Sequence, residues 1–375
     1  MLLPLLLAAL ASTALAQQSP NAHLVQELLQ TSGSRFSSNI VEDALLDVSG
    51  LVRKYGYPLE THSVMTSDGY IVTAHRIPSG RDASAGPRVP VLVMHGLMCS
   101  SADFLVLGPG NALGYLLADA GYDVWLANAR GNYYSRRHLL LNPDDRLGLD
   151  YWKFSWDEIG NLDLPALVNH IVRTTGQEKM HYIGYSQGGT AFVVLNSLRP
   201  EFNDRFLSFQ ALAPAVFNEN SQNGIRDLMV HFENDLFAYL GLALCNDNST
   251  MLPVFIGHNP AGAALRQIIH FSQVQRFGRF QRYNHASPLD NLLAYGSLSP
   301  PEYDLSRVTT PTYLHYGLND ANADFRDILL LGERLPSAVL VPVPRATFNH
   351  FDFIWGGDVR EQLYDRMIDI MKSLE

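Results

Sequence analysis

The sequence predicts an α/β domain: a mostly parallel central sheet, helices on both faces, and one inserted, shortened cap. Three observations lead there. Short aliphatic or β-branched runs recur along the chain with helical stretches between them, the rhythm of parallel strands joined by crossover helices. One run, Pro90-Val91-Leu92-Val93-Met94, is apolar throughout, as suits a strand buried on both faces. From about residue 218 to 287 the rhythm lapses into short apolar pieces and turn residues, which marks an insertion between two parts of one core.

In order along the chain, Met1 to Leu10 is an apolar run too short to span a bilayer, and Ala14-Leu15-Ala16 offers a small-x-small cleavage site. Residues 1–16 therefore read as a secretory signal peptide, although no Lys or Arg precedes the apolar run. Residues 17–50 are polar and mixed, with a short helix around Leu24 to Leu29, and read as a leader or surface arm. The first part of the core, 51–217, opens with a hairpin, because alternating side chains flank Ser67-Asp68-Gly69. After Pro90 to Met94, Gly114 to Ala120 reads as a helix stopped at Gly121, and Tyr122 to Ala127 as the next strand. Trp156 to Thr174 is helical and closes at Gly176. Strands over His181 to Ile183 and Phe206 to Leu212 follow. The second part, 288–375, resumes with strands over Pro311 to Tyr316 and Ala338 to Val341, then a terminal helix from Val359 to Leu374.

Composition is ordinary for a globular protein: 47% hydrophobic, 17% charged, with no repeat. A formal charge of -10 argues against nucleic acid or an anionic membrane surface as a partner. No segment after the leader is apolar enough for a transmembrane span. Cys99 and Cys245, the two cysteines, are candidates for a disulfide in an oxidising compartment, and Asn248-Ser249-Thr250 is a glycosylation sequon. No Cys/His cluster has metal-ligand spacing and no Gly-rich phosphate loop is present, so neither metal nor cofactor is expected. Oligomeric state is not legible.

Gly184-x-Ser186-x-Gly188 lies between a strand and a helix, the setting of a nucleophile elbow in an α/β-hydrolase. A serine at the tip of so sharp a turn is strained, and a Cβ two residues to either side would clash; glycine removes it. A lone hydroxyl is a poor nucleophile, so Ser186 needs a base and an orienting carboxylate. In this fold they follow in the order Ser, Asp or Glu, His. Asp320 follows the strand ending at Tyr316, and His350 follows the strand ending near Val341. Asp324 and Asp327 are rivals placed on the succeeding helix, and His315, inside a strand, reads as a core histidine. The oxyanion hole needs two backbone donors, here Gln187 N–H and, from the loop His95-Gly96-Leu97, Leu97 N–H.

Further motifs bring a resemblance. They include Leu117 to Trp125, Asn128-Ala129-Arg130-Gly131-Asn132, Ser155 to Gly160, Asp163-Leu164-Pro165-Ala166, His258-Asn259-Pro260-Ala261-Gly262 and Asn349 to Gly356. With the elbow, they make residues 51–373 resemble the acid lipase family, which includes lysosomal acid lipase, gastric lipase and related insect lipases. The resemblance implies Ser186 as nucleophile, Asp320 as acid and His350 as base. It also implies a lipid ester substrate met at a lipid–water interface, a cap with a lid, no cofactor, and a secreted or lysosomal destination. Three departures stand out. Tyr185 replaces the histidine usual before the nucleophile, and Gly189 stands where threonine is usual. Between Leu228 and His258 the chain is shorter than the usual cap. Two other readings remain: a carboxylesterase for short soluble esters, and a non-catalytic lipid-binding protein on the same scaffold.

Overall fold

Eight runs become strands: β1 (Glu60–Met65), β2 (Ile71–Ile77), β3 (Pro90–Met94), β4 (Asp123–Ala127), β5 (Met180–Tyr185), β6 (Phe206–Leu212), β7 (Thr312–Tyr316) and β8 (Ala338–Pro342). They form one sheet in the order β1-β2-β4-β3-β5-β6-β7-β8. The hairpin β1–β2 and the pair β2–β4 are antiparallel, and the remaining pairs are parallel. The computed structural model describes residues 18–375 apart from 33–34, 85, 146–148 and 222–248. The signal peptide, Cys245 and Asn248 lie outside the described residues.

Burial follows position in the sheet. β3, β4 and β5 are buried at every residue, which is why their sequences are apolar almost without interruption. β8 closes one edge and leaves Val339 and Leu340 exposed. Chain order explains where a site can form. From β3 the chain moves outward to β4 on one side, and its next strand, β5, lies on the other. In parallel α/β sheets a crevice opens at the carboxyl ends of such diverging strands. Gly96 and Ser186 both sit there.

The N-terminal segment differs from the sequence reading. Helices α1 (Ala22–Ser32), α2 (Ser38–Leu45) and α3 (Val48–Lys54) span most of it, and Val25, Ala44 and Val48 are wholly buried. Its average polarity concealed a face: Leu24, Val25, Leu28 and Leu29 fall on one side of a helix. This segment is therefore packed against the body, not a surface arm. Helix α4 (Leu113–Asp119) follows β3, and α5 (Leu164–Thr175) precedes β5. The turn Trp156–Glu158 and a π turn over Ile159–Asp163 lead into α5, which ends at Gly176 in the left-handed conformation (φ 70°). Gly160 lets this turn approach α6 (Gln187–Leu198): a Cβ there would stand 2.6 Å from both Ala191 O and Val194 Cβ.

Within 218–287, α7 (Leu252–His258) and α8 (Leu265–Phe277) are helical. α7 is docked onto the N-terminal helices so closely that a Cβ on Gly257 would meet Ala44 O at 2.2 Å. Val254, Phe255 and Ile256 join the main core. Helices α9 (Pro288–Tyr295), α10 (Phe325–Arg334), α11 (Asp352–Trp355) and α12 (Asp365–Lys372) complete the chain. Among the described residues, no helix is long and apolar enough to cross a membrane.

Candidate active site

Ser186 has φ 50° and ψ -115°, a strained conformation for a residue with a side chain. Three glycines make the turn possible. A Cβ on Gly184 would lie 2.7 Å from Gly188 C, one on Gly188 would lie 2.3 Å from Met94 O, and one on Gly189 would lie 2.8 Å from Pro214 Cβ. The last distance bears on the departure at Gly189: a side chain there would require Pro214 or the turn to shift. The turn is pinned by Ser186 N–H donating to Leu212 O at 2.8 Å, and by Gly189 N–H returning to Ser186 O at 2.9 Å.

The loops after β7 and β8 bring Asp320 and His350 to this serine. His350 Nε2 lies 3.0 Å from Ser186 Oγ, and His350 Nδ1 lies 2.8 Å from Asp320 Oδ2. Asp320 Oδ2 accepts from Nδ1, which leaves Nε2 as acceptor for the Ser186 hydroxyl. The other oxygen, Oδ1, accepts N–H bonds from Asn322 at 2.9 Å and Ala323 at 2.8 Å, so the carboxyl cannot swing away. The rivals are engaged elsewhere. Asp324 caps α10 and takes Arg326 Nε at 2.8 Å, Asp327 accepts from Asn220, and His315 bonds Gln210 Oε1 at 2.9 Å inside the sheet. Burial holds His315 down at about 3, consistent with a neutral core residue.

His95-Gly96-Leu97 leaves β3 directly beside the elbow. His95 is buried and makes only neutral contacts: Nδ1 lies 2.7 Å from Gly96 O, and Nε2 accepts Ala129 N–H at 3.0 Å and the Asn132 amide at 3.1 Å. Burial lowers its pKa to about 4. A ring held in this way shapes the loop. Tyr185 fills the space between this loop and the His350 loop. Its hydroxyl donates to His350 O at 3.0 Å, and a Cβ on Gly96 would touch its ring at 3.0 Å. The residue that departs from the resemblance thus braces the histidine loop through its backbone.

Three features escaped sequence reasoning. Arg130 is buried and bonds Asp163 through Nε (2.8 Å) and Asp68 through Nη1 (2.6 Å), tying the loop after β4 to the π turn and the first hairpin. Burial raises the Asp163 pKa, with Arg130 opposing it. On α8, the Gln267 amide donates to Gln187 Oε1 at 3.1 Å, a direct link from α8 to the elbow helix. Beside it, His270 stacks on Trp156 at 3.5 Å and bonds Ser155 Oγ at 3.0 Å, while Arg282 clasps Asp157 at 2.8 and 3.0 Å. The third is Asp103, a fully buried carboxyl that burial pushes up to about 6. The motifs Asn128 to Asn132 and Ser155 to Gly160 flagged the first two regions, but residue type alone did not reveal these partners.

Cys99 lies next to the oxyanion-loop sequence, at the start of the turn that holds Asp103. It is a free thiol, buried against Asp103, and burial pushes its pKa well up. Cys245, the other cysteine of the expected pair, lies outside the described residues. Among the described residues, no group of three or more His, Cys, Asp or Glu could hold a metal ion.

A strained serine at a strand-to-helix turn, bonded to a histidine that is bonded to a carboxylate, stands here on a parallel sheet of this order; that is the architecture of a serine hydrolase. Comparison with known proteins agrees. Residues 89–356 match the family model for the alpha/beta hydrolase fold, and residues 48–108 match the partial alpha/beta-hydrolase lipase region. Lipase 1 of Drosophila melanogaster is 41% identical over 89% of this chain and 81% of its own. Gastric triacylglycerol lipase of Rattus norvegicus is 36% identical, and that of Homo sapiens 33%, each over 88% of this chain and 92% of its own. The chain belongs to the α/β-hydrolase family, within the group formed by these lipases, and is a carboxylic ester hydrolase. Among solved structures, an esterase from Exiguobacterium antarcticum aligns with a TM-score of 0.56 at 14% identity, covering 83% of this chain and 98% of its own. A bacterial membrane phospholipase A aligns with a TM-score of 0.55 at 17% identity, covering 99% and 98%. At such identities the likeness concerns the fold alone.

Proposed function

We propose that this chain hydrolyses lipid carboxylic esters, triacylglycerols or cholesteryl esters, through an acyl-enzyme on Ser186. The observation that supports it most is the unbroken chain Ser186 Oγ–His350 Nε2 (3.0 Å) and His350 Nδ1–Asp320 Oδ2 (2.8 Å). His350 takes the hydroxyl proton as Ser186 Oγ attacks the ester carbonyl carbon. The carbonyl oxygen becomes an oxyanion between Leu97 N–H and Gln187 N–H, at the N-terminal end of α6. Collapse breaks the bond to the alcohol, which leaves with the proton from His350. Water then attacks the acyl carbon as His350 accepts its proton; collapse breaks the bond to Ser186 Oγ, which takes that proton back from His350 as the fatty acid is released. Asp320 holds the imidazole in the tautomer this sequence needs and stabilises its charged form.

The substrate class rests on the gastric triacylglycerol lipases among the relatives. Residues 218–287 act as the cap, with α8 anchored on the elbow helix through Gln267 and Gln187. The leader over 1–16 directs the protein into the secretory pathway, and it works at a lipid–water interface. Because the sequence between Leu228 and His258 is shorter than the usual cap, dissolved short-chain esters are expected to enter as well.

Rate against ester concentration, followed across the solubility limit, tests this reading. Hydrolysis of emulsified long-chain triacylglycerol, with only modest activation as a short-chain ester passes its limit, is expected. Hydrolysis of dissolved short esters alone would assign a carboxylesterase, and absence of both activities would assign a lipid-binding protein.

A further inference from the structure

We infer that Asp103 is a positioning residue for ester hydrolysis, one carboxylate that ties the oxyanion loop to the segment carrying His350 and to the inserted segment. This rests on the hydrolase reading above. Asp103 lies in the turn Ser101–Phe104, just beyond His95-Gly96-Leu97. Its Oδ2 accepts Ser100 N–H at 2.7 Å, closing a capping box on its own turn. Its Oδ1 reaches outward and accepts from two other parts of the chain: the Asn259 amide at 2.8 Å and the Trp355 indole N–H at 3.2 Å.

Each partner leads to the site or to the segments around it. Trp355 ends α11, the helix that begins two residues after His350, and its ring stacks on Phe351 at 5.4 Å and on Phe255 of α7 at 4.9 Å. Asn259 follows α7, and two residues on, Ala261 N–H donates to Met98 O at 2.6 Å. Met98 neighbours Leu97 and has a left-handed backbone (φ 61°). The loop that would supply an oxyanion donor is thus held from two sides at residues 98 and 103.

A capping carboxylate at a surface turn would need none of this. Asp103 is 1% exposed, and its hydrogen-bond donors are uncharged, among them two N–H groups from distant segments and one from its own turn. Burying a carboxylate without a cation is costly, and hydrogen bonds must offset the lost hydration. A shared acceptor of this kind gives the segments one mutual position, because moving any of them leaves a buried polar group unpaired. Transition-state stabilisation is sensitive to displacements of this size, since an oxyanion donor acts only within hydrogen-bond reach of the developing charge.

The test compares Asp103→Asn with Trp355→Phe, which keeps an aromatic ring but deletes one donor. Wild type and Ser186→Ala are run alongside. Active sites are counted by fluorophosphonate labelling, and kcat and KM for a dissolved p-nitrophenyl ester are expressed per labelled site. For Asp103→Asn, a kcat at least ~10-fold lower with KM within about 2-fold is expected, as for an interaction made in the transition state. Trp355→Phe should lose kcat in the same sense by roughly 3-fold. A kcat per labelled site within 2-fold of wild type in Asp103→Asn, or a loss confined to KM, would overturn the inference. If Asp103→Asn yields no labelled protein, Trp355→Phe decides: an unchanged kcat overturns the inference. Failure of the hydrolase reading looks different, because wild type itself would then not label or Ser186→Ala would remain active.

Discussion

Replacing Gly188 with alanine puts a methyl group where backbone already lies. A Cβ at 188 would stand 2.3 Å from Met94 O, 2.9 Å from Met94 C and 3.1 Å from His95 O. Ordinary carbon–oxygen contact needs roughly 3.3 Å, so the strand end or the elbow must yield by about 1 Å. No flexible side chain can absorb that movement. β3 is buried throughout and held between β4 and β5, so the displacement falls on His95-Gly96-Leu97 and on the start of α6. Those are the two places that would supply the proposed oxyanion donors. Misplacement by about 1 Å costs on the order of 10²-fold in rate, while overpacking of this kind costs about 1–3 kcal/mol in stability. Gly188→Ala should therefore unfold cooperatively at a somewhat lower midpoint, yet hydrolyse a dissolved ester on the order of 10²-fold more slowly. Steady-state rates with circular dichroism on the same preparation check both halves. A folded variant with kcat within roughly 3-fold of wild type would refute the argument that Gly188 sets the spacing of β3 and α6.

Two further outcomes concern stability. Asp163→Asn removes one partner of a buried ion pair whose members are 0% and 1% exposed, and should cost about 3–5 kcal/mol in denaturant unfolding; a loss below about 1 kcal/mol would show that Asp68 alone satisfies Arg130. Asp103 titrates near 6 when folded against 3.8 ordinarily, so the folded state binds this proton more tightly. Its contribution is full below 3.8 and is lost as pH rises through about 6. Relative to Asp103→Asn, wild type should thus gain about 2 kcal/mol on going from pH ~7.5 to ~4.5, and a difference that is flat or of opposite sign contradicts the assignment.

The parts legible in the sequence are those with a local signature. Pro90 to Met94 announces a doubly buried strand by composition, and Gly184-x-Ser186-x-Gly188 announces its turn because three adjacent backbones leave no room for a Cβ. Asp320 and His350 could be chosen because each follows a strand, and Asp324 set aside because it opens a helix. Arg130 meets Asp68 and Asp163 across 62 and 33 positions, and no periodicity encodes such a pairing. Asp103 and Trp355 are 252 positions apart. The docking of α1 to α3 was hidden for another reason: one narrow apolar stripe disappears in a polar average. Tyr185 was noticed as a departure, but only the hydroxyl-to-His350 O bond says what it does.

In the proposed reaction an acyl group passes through Ser186. Protein quenched within one turnover on a slowly deacylating ester should gain the mass of one acyl group, carried on the peptide that contains Ser186. Ser186→Ala should show no such adduct and should lose ester hydrolysis by ~10³-fold or more. An adduct on another residue, or hydrolysis that persists in Ser186→Ala, would contradict the account.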